Sequence, residues 1–105
     1  MNFEQFFDTV ISMTDEYAYQ LSRLGVQDQT FSYVLGEWTA WEEIADYMRE
    51  HWGTIGAHFI RGRVHTMLKT RDSDHTYFRY KAFEKGYKDS CKEMAKILEK
   101  ADSFE

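Results

Sequence analysis

Over most of the first fifty residues, apolar side chains recur at alternating spacings of four and three. An α-helix is the regular structure that gathers such a series onto one face. Phe3, Phe7, Val10, Thr14, Tyr17, Leu21 and Leu24 form the first series, which predicts a helix about 33 Å long at a rise of about 1.5 Å per residue. Phe31, Val34, Trp38, Trp41, Ala45, Met48 and Trp52 form the second, and no stretch before residue 60 alternates with the period of a strand. The chain also has no proline, where average usage is about 5%. Without the residue that breaks helices, long helices joined by short turns are expected.

Local signals predict where these helices stop and start. Gly25 is read as a left-handed residue ending the first, Asp28 as the N-cap of the second and Gly53 as its stop. Gly36 lies within the second series at a cost of about 1 kcal/mol relative to alanine. Thr39-Ala40-Trp41-Glu42 reads as a capping box. An alternative is therefore two helices broken near residues 36–38. Ile55, Phe59 or Ile60, Val64, Met67 and Leu68 fit a third helix, diluted by Gly56 and Gly62. Phe83, Tyr87, Cys91, Met94, Leu98 and Ala101 mark the apolar face of a fourth, with Lys81, Lys85, Lys88, Lys92 and Lys96 on another face. The expected architecture is a compact, mainly α, four-helix single domain, with helices at about 3–24, 28–52, 55–70 and 75–101. The turn signal at Asp72-Ser73-Asp74 and the run His75–Tyr80 leave a hairpin near 66–81 as the alternative.

Leu, Ile and Val number fourteen and the aromatics eighteen, so the core is expected to be built largely from rings. The single cysteine, Cys91, cannot form an internal disulfide, so a reducing, cytoplasmic compartment is the expected home. The acidic, interrupted start predicts no signal peptide. No run approaches the 18 or so apolar residues that a membrane helix requires.

Charge is divided unevenly. Residues 1–50 carry ten acids and two bases, whereas residues 51–105 carry eight acids and eleven bases. Glu42, Asp46 and Glu50 stand at i, i+4 and i+8 with Glu43 adjacent, a like-charge line that costs a few tenths of a kcal/mol per pair. Glu42, Glu43, Asp46 and Glu50 are therefore the candidate partner-binding residues, facing a basic surface on another protein. In the structural alternative, the lysines of the fourth helix neutralise these acids inside the fold.

Thr39–Met48 resembles the first helix of a helix-turn-helix, and Val64–Lys69 resembles a basic recognition helix. With a hairpin at 66–81 as its wing, the resemblance implies a winged-helix-like α+β DNA-binding regulator. His58, Arg61, Arg63, Lys69 and Arg71 would then be the nucleic-acid-binding residues. The match departs from that pattern between Ala45 and Val64, which are about five residues too far apart for a compact turn. A net charge of −5 also opposes a polyanion.

Signatures of catalysis are missing. His51, His58 and His65 recur every seven residues, about 10.5 Å apart on one helix and too distant to share an ion. Asp72–Thr76 begins like a calcium loop, but Tyr77 and Phe83 stand where that loop needs Gly and Glu. No catalytic residue, metal site or cofactor is expected. The chain reads as a small regulatory, inhibitory or adaptor protein that works by protein–protein binding, of a size and composition suited to phage or mobile-element cargo. The charge division and the long apolar seams further predict a homodimer. Light scattering at tens of micromolar should return twice the monomer mass, and a monomer mass would remove that expectation.

Overall fold

The structure, a computed structural model, describes residues 2–52, 54, 56–70 and 78–100. Four helices account for nearly all of them: α1 (Phe3–Ser22), α2 (Gln29–Glu50), α3 (Ala57–Thr70) and α4 (Phe78–Glu99). No strand occurs among the described residues. Residues 66–70 are the last turns of α3 and 78–81 the first turn of α4, so both ends of the alternative hairpin are helical. Gly53, Ile55, Arg71, residues 72–77 and Ala101, on which some of the expectations fall, lie outside the described residues. Among the described residues, no helix is long and apolar enough to cross a membrane.

α1 begins with a reciprocal capping box. The Asn2 side chain accepts from the Gln5 backbone at 2.9 Å, and the Asn2 backbone donates to Gln5 Oε1 at 2.8 Å. Asp28 caps α2 as expected, accepting from the Thr30 amide at 2.9 Å. Gly25, by contrast, is not left-handed. α1 ends instead on Arg23, and the Gly25 carbonyl accepts from Asp28 N–H in a tight turn. That turn leads directly into the cap of α2.

α2 is one continuous helix through residues 36–38. The Thr39 hydroxyl, which would have capped a second helix, donates back to the Leu35 carbonyl at 2.7 Å within the same helix. Gly36 is there for a different reason. A Cβ on it would overlap the Phe83 carbonyl of α4 and lie 2.9 Å from the Tyr87 backbone nitrogen. A Cβ on Gly86 of α4 would likewise overlap the Tyr33 carbonyl of α2. The two backbones therefore touch at a reciprocal glycine contact. Ala40 and Ser90, both buried, continue the same i, i+4 rows of small residues.

α2 and α4 form the most extensive helix pair, with α1 laid on α2 and α3 on α4. Trp41, Ile44, Ala45 and Met48 of α2 and Tyr87, Cys91, Met94 and Leu98 of α4 are fully buried between them. Phe6 and Val10 close the core from α1, and Ile60, Val64 and Met67 close it from α3. Some of the rings expected in the core are not fully buried. Phe3 and Phe6 are the buried rings of the first turns, whereas Phe7 is partly buried, and Trp52, just past the end of α2, is 48% exposed. Trp52 packs edge-on against Phe3 and Phe7 at 4.8 and 5.0 Å. Ile60 is buried where Phe59 is exposed, which settles the choice left open in α3.

Replacing Gly36 or Gly86 with alanine should destabilise the protein by more than about 2 kcal/mol, because overpacking against backbone outweighs the helix-propensity gain of about 1 kcal/mol. Gly62 has nothing within 4 Å of its missing Cβ, so Gly62→Ala should stabilise by about 0.5–1 kcal/mol. Urea unfolding of the three variants checks the contrast. A stabilised Gly36→Ala would mean that the backbones do not touch.

Candidate partner-binding groove

α2 and α3 do not close on each other over their full length, and a groove of about 400 Å³ opens between them, lined by Glu43, Asp46, Tyr47, Glu50, His51 and Arg63. A second hollow of about 390 Å³ shares Tyr47 and Arg63 and continues along α3 past His58, Phe59, Gly62 and Thr66. Three of the four acids singled out from sequence thus line one wall of a concavity. Glu42, partly buried, is not among the lining residues.

These acids have different partners. Asp46 and Glu50 are exposed, and Asp46 pairs with Arg49 of its own helix at 3.1 Å. An exposed i, i+3 pair of this kind contributes at most about 1 kcal/mol. Glu43 is built in. Its Oε2 accepts from the hydroxyl of the fully buried Tyr87, and Arg63 of α3 approaches its Oε1 at 3.4 Å. The Arg63 guanidinium also lies over the Tyr47 ring at 5.3 Å from its centroid, a cation–π arrangement. The sequence pointed to Glu43 and Arg63 separately and for opposed functions. The fold brings them together.

That pairing also alters the two readings that competed at the sequence level. Glu43 is neutralised from α3 by Arg63 rather than by a lysine of α4, and Lys85 of α4 pairs within its own helix with Asp89 at 3.0 Å. Two of the three arginines of the nucleic-acid alternative have structural work. Arg63 serves Glu43, and Arg61 Nη2 donates to the Leu98 carbonyl at 2.6 Å. Leu98 lies in the last turn of α4, where carbonyls lack helical partners and a cation is favoured. His58 and Lys69 are exposed, and Arg71 lies outside the described residues.

A second polar cluster, unread in the sequence, joins α1, α2 and α4. The Tyr33 hydroxyl donates to Asp89 Oδ2 at 2.6 Å, and the Tyr17 phenol and the Glu37 carboxyl interact electrostatically. Burial pushes the Glu37 carboxyl up; the Tyr17 phenol opposes this, and Asp89 and Glu93 add to it. The bond from Tyr33, helped by Lys85, holds the Asp89 carboxyl below its ordinary value. Burial and the Glu37 carboxylate raise the Tyr17 phenol, and the bond to Asp89 raises that of Tyr33. These groups tie three helices together. Among the described residues, no three His, Cys, Asp or Glu side chains converge to hold a metal ion.

The two carboxyls make opposite contributions to stability as pH changes. A raised Glu37 favours the folded state below the ordinary glutamate range, and that contribution is lost as pH rises through its folded value. The contribution of Asp89 is present above the ordinary aspartate range and is lost as pH falls through its folded value. Glu37→Gln should therefore raise the melting temperature at neutral pH, with the advantage shrinking on acidification. A variant less stable than wild type at neutral pH would show that the interaction of the charged carboxylate with Tyr17 outweighs burial.

No protein-family model, curated protein or solved structure matches this chain, so what the groove can bind follows from its own residues.

Proposed function

We propose that the protein is a regulatory, inhibitory or adaptor protein of the cytoplasm. In this proposal it acts by binding rather than by catalysis, taking the basic surface of another protein into the groove between α2 and α3. The observation that supports this is the lining itself. Glu43, Asp46 and Glu50 converge on a concave surface whose one base, Arg63, is already engaged, while Tyr47 and the 56%-exposed Phe59 supply ring faces. Exposed carboxylates steer a cationic partner toward the groove, and aromatic walls give the area that holds it. The burial of Cys91 is in keeping with a thiol that serves packing in a reducing compartment. The nucleic-acid alternative draws less support, because Arg61 donates to the Leu98 carbonyl and Arg63 faces Glu43 within an acidic groove.

Asp46→Lys with Glu50→Lys tests the proposal. The weak Asp46–Arg49 pair is lost and two lysines at i, i+4 repel as the two acids did, but the repulsion of position 46 by Glu42 turns into an attraction, so the melting temperature should stay close to wild type. Stopped-flow association with a basic peptide carrying lysines and arginines at helical spacing should slow by about tenfold or more at low salt and lose its dependence on ionic strength. Unchanged association would move the site off this groove.

A further inference from the structure

Arg63 fills part of the groove without being well held there. Its contact with Glu43, at 3.4 Å, is at the long limit for a hydrogen bond, and its Nε is buried with no partner. Its side chain keeps 38% of its surface exposed. The seat beneath it is firmer than the occupant. Glu43 is fixed from the core side by the Tyr87 hydroxyl, and Tyr47 presents its ring beside it. A fixed carboxylate next to an aromatic face matches a guanidinium better than an ammonium, since the planar fork can bond the carboxylate while stacking on the ring. Open volume lies on both sides of the seat.

Building on the proposed function, we infer that the seat formed by Glu43 and Tyr47 takes an arginine side chain of the partner protein, and that Arg63 is a tethered stand-in which the partner's arginine displaces. Arg63 then lowers affinity and sharpens specificity. A partner must bring a guanidinium, with its bidentate geometry, to outcompete one that already sits there loosely. Asp46 and Glu50 attract any cation, whereas the seat discriminates among cations.

Two helical peptides of equal charge test this by calorimetry at low salt, one carrying arginines at i and i+4 and the other lysines. Wild type should prefer the arginine peptide. Arg63→Gln should tighten the arginine peptide by about fivefold, the scale of one exposed cation–π contact plus one exposed ion pair, and should affect the lysine peptide less. Arg61→Gln makes the same change in net charge away from the seat and should alter neither peptide by more than about twofold. Tyr47→Leu should erase the preference for arginine, a readout that holds even if Arg63→Gln folds poorly. Equal gains for Arg63→Gln and Arg61→Gln, or weaker arginine binding by Arg63→Gln, would overturn the inference and leave the proposed function standing. Failure of wild type to bind either peptide at low salt would overturn both.

Discussion

The contact between the backbones of α2 and α4 at Gly36 and Gly86 is the constraint from which the rest of the molecule follows. With a hydrogen where every other residue has a Cβ, each glycine meets the opposing carbonyl directly, and such close approach favours weak Cα–H···O contacts. The approach also brings the large side chains further along both helices into one layer. Trp41, Ile44, Tyr87, Cys91 and Met94 all become fully buried there. In exposed helices, two glycines would cost about 2 kcal/mol in propensity. Here that loss is offset by packing that no larger residue permits. Each of the four long helices in such a small chain then has a partner without a large number of aliphatic side chains.

The same contact determines where charge ends up. Tyr87 follows Gly86 directly, so the crossing holds its hydroxyl against Glu43, two turns beyond Gly36. On the other side of the crossing, Tyr33 reaches Asp89, and Tyr17 of α1 reaches Glu37. The acidic α2 therefore has some carboxylates tied down by phenols and others left exposed along the groove. The division between an acidic first half and a basic second half is resolved only in part. Arg63 crosses to Glu43, whereas Asp46 and Lys85 find partners on their own helices.

Much of the fold was legible because helix periodicity is a local property. The series in α1, α2 and α4 needed only neighbours three and four residues away, and their observed bounds lie within a few residues of those expected. Features that depend on pairs distant in sequence were not legible. Gly36 looked like a break because its reason lies at Phe83 and Tyr87, and Thr39 looked like a cap because a hydroxyl serves equally to bond back within a helix. Phe6 and Phe7 differ by one position, about 100° of helical rotation, and the alternating spacing selected the wrong ring. The acids of the groove were found through their like-charge spacing. The link of Glu43 to Arg63, twenty residues away, and to Tyr87, forty-four residues away, left no local trace.

The contact between the glycines is most directly measured by nuclear Overhauser spectroscopy on labelled protein. A Cβ on Gly36 would lie 2.9 Å from the Tyr87 nitrogen and one on Gly86 would lie 3.2 Å from that of Glu37. The Gly36 Hα protons should therefore show strong cross-peaks to the Tyr87 amide, and those of Gly86 to the Glu37 amide. Cross-peaks of Gly36 and Gly86 confined to their own helices would contradict the close crossing and, with it, the placement of Glu43 and Tyr87 on which the groove depends.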